Sequence, residues 1–209
     1  MIGVIVPTRG LIFTEVIQAI ENLRKHADIK VFYSYDLPIP EAQNYLVEKA
    51  LADKNISDFL FVEEDVVIPE NTIQILDDLQ SDIACIDYGV NGWSCTAQDE
   101  KGEIYWCGFG CTLVKRYVFN LVEKPWFRVD KSLRLNDWKW IDNEAKYGGQ
   151  DIWFCMQARE QGCTIAKAKE ECRHMKLESL GKPELNRGLH LIKQKPTIEK
   201  QQIIKKGGN

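Results

Sequence analysis

The sequence predicts an α/β fold built on a mostly parallel, doubly wound sheet. Three observations predict it. Short apolar runs alternate three times with segments whose apolar residues recur at helical spacing, the pattern of strands joined by crossover helices. Proline, glycine or a charge cluster punctuates each change. The chain of 209 residues is long enough to enclose the core of one such domain without disulfides or structural metals.

The elements follow in order. Ile2 to Val6 is an apolar run ended by Pro7, a buried first strand. Phe13, Val16, Ile17, Ile20 and Leu23 then repeat at helical spacing, with Thr14 placed to cap the helix. "IKVFYSYD" is a second strand, and beyond Pro38 and Pro40 a second helix puts Leu46, Val47, Ala50 and Leu51 on one face. Phe59 to Val62 is a third strand, followed by a helix starting near Pro69 and Glu70, where a missing N–H is harmless. "DIACIDYGV" is a fourth strand. From about residue 88 the alternation gives way to a small antiparallel β segment with a turn at "DEKG". Residues 123 to 148 lack a period and read as long loops over the active edge of the sheet. A last helix runs from "GGQD" through Ile152, Phe154, Cys155 and Ala158 to Gly162, and "CTIAKAKEECRHMK" returns to extended structure. The expected organisation is a single domain over 1–192 and a lysine-rich tail over 193–209.

Composition bounds the function. The chain is 44% hydrophobic and 28% charged, with a net charge of −4, which argues against a uniformly basic nucleic-acid-coating face. Seven cysteines are scattered through apolar segments, an odd number without a zinc-type spacing, so reduced and mostly buried thiols are expected. No run approaches the ~20 apolar residues that cross a bilayer, and the amino terminus does not read as a secretory signal. A soluble, cytoplasmic protein is the expectation.

The chemistry concentrates where strands end. In open α/β sheets ligands sit beyond the carboxyl ends of the strands, so "PTRG", "SYD" and "EED" should converge. Within "FLFVEEDVVIP", Glu63, Glu64 and Asp65 lie between two apolar runs. Burying even one unpartnered carboxylate costs several kcal/mol, so a cation is called for there, although charged loop residues are commonly just solvated. Mg²⁺ or Mn²⁺ takes one or two protein carboxylates and completes its shell with water and phosphate, which suggests a phosphorylated ligand. Arg9 can give a two-pronged phosphate contact or be an ordinary surface arginine. Asp151 opens a helix, where an aspartate also serves the helix terminus, so base and cap both stand on the residues alone.

These motifs together resemble the GT-A fold glycosyltransferases, family-2-like enzymes that use nucleotide-diphosphate sugars. The resemblance runs over roughly residues 2 to 175. "VIVPTRG" is similar to the first nucleotide-binding strand and loop, "PEAQNYLVEKAL" to the segment whose polar pair (here Gln43 and Asn44) meets the nucleotide, and "FLFVEEDVVIP" to the DxD metal motif. "YWCGFGCTLVKRYVF" is similar to the glycine-containing strand beside the donor sugar, "KPWF" to an acceptor-side loop, "GGQDIWFCMQAREQG" to the helix of the catalytic base, and "CRHMK" to the segment of a late metal-binding histidine.

The resemblance implies a Rossmann-like GT-A sheet with acceptor-side loops, and a metal-dependent, inverting transfer to a hydroxyl. Asp151 is then the base; Asp65, Glu63 and His174 hold Mn²⁺ or Mg²⁺; Pro7, Thr8, Arg9, Asp36, Asn44, Glu64 and Gly108 bind the nucleotide sugar; Trp126, Phe127 and Gln150 meet the acceptor. Imidazole among the ligands tilts the choice from magnesium towards manganese. The pattern departs from the family in two places: Glu63 stands for the usual first Asp, and Gln150 for the acid common before the base. Trp93, Trp106, Trp126, Phe127, Trp138 and Trp140 fall in the sectors that would surround donor sugar and acceptor, where flat rings stack on sugars. A glycan or lipid-linked saccharide suits the resemblance best as acceptor, with modified DNA or a protein as further options. Two other functions compete: a sugar nucleotidyltransferase, which would want a glycine- and lysine-rich loop after the first strand, and a non-catalytic nucleotide-sugar or glycan-binding module.

Overall fold

The computed structural model describes residues 1–90, 93–145 and 148–175. The lysine-rich tail expected over 193–209 lies outside the described residues. The main sheet is made by β1 (Ile2–Val6), β2 (Ile29–Tyr33), β3 (Asp58–Val62), β4 (Val66–Val67), β5 (Ile83–Val90), β9 (Cys111–Lys115) and β12 (Ile165–His174), with β6 (Trp93–Ser94) paired to β5. Their order is β2-β1-β3-β9-β5-β12-β4. β2, β1, β3, β5 and β12 share one direction, as expected, while β9 runs antiparallel between β3 and β5.

Alternation along the strands decides which helices cover which face. Ile5 on β1 and Phe59 and Phe61 on β3 face a core closed by α2 (Ile39–Leu51), α4 (Val118–Leu121) and α5 (Gln150–Glu160). Val4, Val6, Leu60 and Val62 face the opposite core under α1 (Thr14–Leu23) and α3 (Thr72–Asp78). A period of two sends successive side chains to opposite faces, so a strand that is apolar throughout needs helices on both. α1 buries Val16, Ala19, Ile20 and Leu23, the one-face spacing read from sequence. Its N-cap is Phe13, not the expected Thr14, and the Phe13 amide donates to the Glu64 carbonyl at 3.1 Å. That bond ties the entry of α1 to the acidic turn.

Two short hairpins complete what sequence left as loops or a loose β segment. β7 (Ala97–Gln98) pairs with β8 (Ile104–Trp106), and β10 (Lys131–Arg134) pairs with β11 (Lys139–Asp142). The second hairpin falls in the stretch expected to be irregular. α3 also starts later than expected, at Thr72, whose hydroxyl donates to the Pro69 carbonyl at 2.7 Å. All seven cysteines are free thiols and six are buried, in line with the composition. Among the described residues no helix is long and apolar enough to cross a membrane.

Candidate functional site

The acidic turn is built by register. β3 ends at Val62, the chain turns through Glu63, Glu64 and Asp65, and β4 then pairs antiparallel with the end of β12, setting Val66 opposite His174. The Met175 amide donates to the Asp65 carbonyl at 2.7 Å, closing the junction. His174 and Asp65, 109 residues apart, therefore meet with Nε2 at 3.2 Å from Oδ2. Nδ1 of the same ring lies 3.2 Å from the Gly89 carbonyl, which can only accept, so Nδ1 carries the hydrogen. The Nε2 lone pair of the neutral ring is then aimed at a carboxylate, and a proton or a cation must lie between them. Asp65 accordingly raises the His174 pKa above its ordinary 6.5. With a carbonyl orienting the second nitrogen and one carboxylate beside the first, the pair fits a divalent ion that completes its shell with water and phosphate.

Glu63 does not complete a protein-only cage. Among the described residues no three His, Cys, Asp or Glu side chains converge closely enough to hold a metal by themselves. The Glu63 carboxylate instead accepts from the Tyr88 hydroxyl, Oη to Oε2 at 3.2 Å. Burial, then the charges of Asp65 and Asp151, push its carboxyl up to about 7. Tyr88, only 5% exposed, is held from below by two glycines: a Cβ on Gly110 would come within 2.5 Å of the ring, and one on Gly108 within 2.5 Å of its hydroxyl. Gly108, expected beside the donor sugar, thus makes room for Tyr88.

Glu64 and Arg9 are also resolved into a pair. The Arg9 guanidinium contacts Glu64 Oε1 through Nε at 2.8 Å and Nη2 at 2.5 Å, and the Arg9 amide donates to Oε2 at 2.8 Å. The loop after β1 is therefore latched to the acidic turn. Within it Pro7 and Thr8 are buried, and the Thr8 hydroxyl donates to the Leu11 carbonyl at 2.9 Å. Asp36, exposed after β2, sits at φ 54, a left-handed conformation that aspartate tolerates better than most residues.

Across from the acids, Gly148 (φ 70) and Gly149 (φ 85) turn the chain into α5. Gln150, Asp151 and Ile152 line a hollow together with Cys95 and Trp106. Gly149 is the N-cap position, and Asp151 accepts from the Ile152 amide at 3.0 Å, so Asp151 is not the N-cap that the sequence left open.

Three residues expected at ligands hold the fold together. Asn44 spends its amide on backbone: Nδ2 donates to the carbonyls of Pro40 (2.8 Å) and Phe127 (2.7 Å), and Oδ1 accepts from the Phe127 amide at 3.1 Å. Trp126 and Phe127 are 2% and 1% exposed. Trp126 packs edge-on against Phe119 and donates to its carbonyl at 2.9 Å, while Phe127 stacks on Phe154 with centroids 5.0 Å apart. These two rings belong to the core and present no face to an acceptor. Gln43 is fully buried with its amide unpaired among the described residues.

Sequence reasoning missed Tyr88 and Asp87. Asp87 accepts from the Tyr88 and Cys95 amides at 2.9 and 3.0 Å and from the Ser94 hydroxyl, fixing the loop that brings Cys95 to the hollow. The available signal was the paired glycines of "GFG" in the turn before β9, both of which leave room for the Tyr88 ring.

No protein-family model matches the sequence, and no characterised protein matches it at the sequence level. Solved structures do match the fold. The protein A197 from STIV has a TM-score of 0.60 at 16% identity, over 85% of this chain and 86% of that one. Glucosyl-3-phosphoglycerate synthase from Mycobacterium tuberculosis, in complex with phosphoglyceric acid, has a TM-score of 0.52 at 12% identity, over 90% of this chain and 76% of that one. The same synthase in complex with Mn²⁺, uridine-diphosphate-glucose and phosphoglyceric acid gives 0.51 at 11% identity, over 87% and 74%. At these identities the likeness is one of architecture, and the chain has the GT-A fold.

Proposed function

From the GT-A fold as premise, we propose that the chain is a metal-dependent glycosyltransferase that moves a sugar from a nucleotide-diphosphate donor to a hydroxyl acceptor with inversion. The observation that carries this reading is the Asp65–His174 pair at the carboxyl edge of the sheet, with Asp151 lining the hollow beyond it. Asp65 and His174 would hold the ion, with manganese favoured by the imidazole. When bound, a divalent ion there supplies Lewis-acid neutralisation of the diphosphate leaving group. The synthase of like fold that has been solved with Mn²⁺ and uridine-diphosphate-glucose supports the choice of donor class.

The chain's own residues account for the remaining steps. Pro7, Thr8, Arg9 and Asp36, in the loops after β1 and β2, face the nucleotide, with the Arg9–Glu64 latch at their edge. Tyr88 holds Glu63 beneath the ion pair. The Asp151 carboxylate takes the proton of the acceptor hydroxyl as that oxygen bonds to the anomeric carbon. The bond from that carbon to the diphosphate oxygen breaks, and its electron pair leaves with the diphosphate. A single displacement inverts the centre. Gln150, beside the base, contacts the acceptor as a neutral amide.

The test uses a panel of nucleotide sugars with Mn²⁺. At least one donor should raise the Tm and be slowly hydrolysed, and Asp65→Ala should lose both effects. Asp151→Asn should keep the donor-induced rise in Tm and lose hydrolysis. A panel in which no donor stabilises the protein, or an Asp151→Asn protein that turns over donor like the parent, refutes the proposal.

A further inference from the structure

Outside the hollow, Trp138 is an exposed aromatic residue in an unusual backbone setting. It lies at the turn of the β10–β11 hairpin with φ 55, a left-handed backbone that glycine, asparagine and aspartate adopt readily and a bulky side chain does not. Its ring is 37% exposed and lies on Tyr105, centroids 5.1 Å apart at 39°. The turn is fixed by a fork in which Arg134 donates to both oxygens of Asp137 at 2.8 and 2.7 Å. Tyr105 is fixed in turn by Arg159, whose guanidinium carbon stands 4.3 Å from the ring centroid while Nη1 donates to the Ile104 carbonyl at 2.8 Å. Two side chains on different elements are thus braced by charged residues to carry one ring on another. Strain of this kind persists where the surroundings over-determine it.

The position ties this face to the hollow. The link runs along α5 and not along β8, where Trp106 lines the hollow with Ile152 and its neighbour Tyr105 points to the opposite face. Arg159 lies seven residues after Ile152, two turns on and on the same face of α5. From Asp151 to Arg159 the helix advances about 12 Å at 1.5 Å per residue, farther than a single sugar reaches.

We infer that Trp138 on Tyr105 forms a saccharide-stacking subsite, remote from the base, for the far end of an acceptor several sugars long. The inference rests on the glycosyltransferase reading and deepens it by naming the acceptor class. The rim decides between a glycan and an apolar partner. Glu103, Asp137, Lys139 and Arg159 surround the rings, with Lys139 3.8 Å from Asp137 and Arg159 3.7 Å from Glu103. A pyranose offers an apolar C–H face to the rings and hydroxyls to such a rim, whereas a protein or lipid surface wants a continuous apolar patch.

The test follows indole N–H resonances of the full chain during titration with cellohexaose or chitohexaose, with glucose and N-acetylglucosamine as single-sugar controls. Uridine diphosphate with Mn²⁺ is titrated into the same samples. A hexasaccharide should shift the Trp138 resonance and bind at least about tenfold tighter than its monosaccharide, the worth of one stacked ring at roughly 1.4 kcal/mol. Trp138→Gly, which suits the turn, should abolish that response while leaving the Tm and the nucleotide response unchanged. If neither hexasaccharide moves the resonance, if Trp138→Gly binds like the parent, or if that variant loses stability and so marks Trp138 as mere packing, the subsite is refuted. Saccharide binding without any nucleotide response refutes the donor reading and leaves the subsite standing.

Discussion

Replacing Gly110 by alanine tests how the acidic turn is supported. The new Cβ would lie 2.5 Å from Tyr88 Cε1, 2.6 Å from Cζ and 2.9 Å from Val66 Cγ2. Carbon atoms rest near 3.5 to 4.0 Å apart, so about 1 Å of movement is needed. Neither the tyrosine ring nor the strand can give it freely. Tyr88 is bounded by Gly108, by His174 with centroids 5.7 Å apart, and by its bond to Glu63. Overpacking costs about 1–3 kcal/mol, and breaking the tyrosine–carboxylate bond adds roughly 1 kcal/mol. The sum, about 2–4 kcal/mol, corresponds to a fall in Tm of roughly 5–15 °C for a chain of this size. Gly89→Ala is the control, because a Cβ there meets nothing within 4 Å and its backbone is not left-handed. It should change stability by less than about 0.5 kcal/mol. Thermal denaturation of both variants, with and without Tyr88→Ala, separates the cause. In the Tyr88→Ala background most of the Gly110→Ala cost should vanish. Equal Tm values for Gly110→Ala and Gly89→Ala, or a cost that survives removal of the ring, would refute the reasoning.

Other expectations are as direct. In EDTA, stability should fall as pH rises from about 5 to 8: Glu63, raised from 4.5 to about 7, binds its proton more tightly when folded, so its contribution is complete below 4.5 and lost through 7. That contribution is about 3 kcal/mol at ~1.4 kcal/mol per pH unit, His174 acts in the same sense above 6.5, and Glu63→Gln should flatten the profile measured by denaturant titration. Phe127→Ala should cost about 3–5 kcal/mol in chemical denaturation, as for a fully buried ring, where an acceptor-facing ring would cost little. Asn44→Ala should lose about 2–3 kcal/mol, since it strands the Phe127 amide and carbonyl, and a nucleotide affinity that drops with no loss of stability would contradict the clasp.

β1, β3 and β5 were legible because each is apolar on both faces: Phe59 and Phe61 go to one core and Leu60 and Val62 to the other, and an unbroken run records that demand. The β10–β11 hairpin was hidden by its polarity, since a ribbon with charged residues and no continuous buried face leaves no alternation to read. β9 was read as part of a separate small antiparallel segment, and its place between β3 and β5 escaped because that insertion depends on neighbours far along the chain. In the site, Asp65 and His174 could be named but not joined by local pattern, and their contact comes from the β4–β12 register. Trp126 and Phe127 misled because the charges around them suggested exposure, while α4 and α5 close over the rings themselves. Tyr88 was invisible because its partners, Glu63 and the two glycines, lie twenty or more residues away in the turns after β3 and before β9.

The central proposal is that Asp65 and His174 would hold a divalent ion that neutralises a diphosphate. Isothermal titration of uridine diphosphate into the protein, with Mn²⁺ and with EDTA, tests it most directly when repeated on Asp65→Asn and His174→Ala. The account predicts Mn²⁺-dependent binding in the parent and at least about a tenfold loss in each variant. Binding that is equal with and without the ion, or unchanged in both variants, would contradict it.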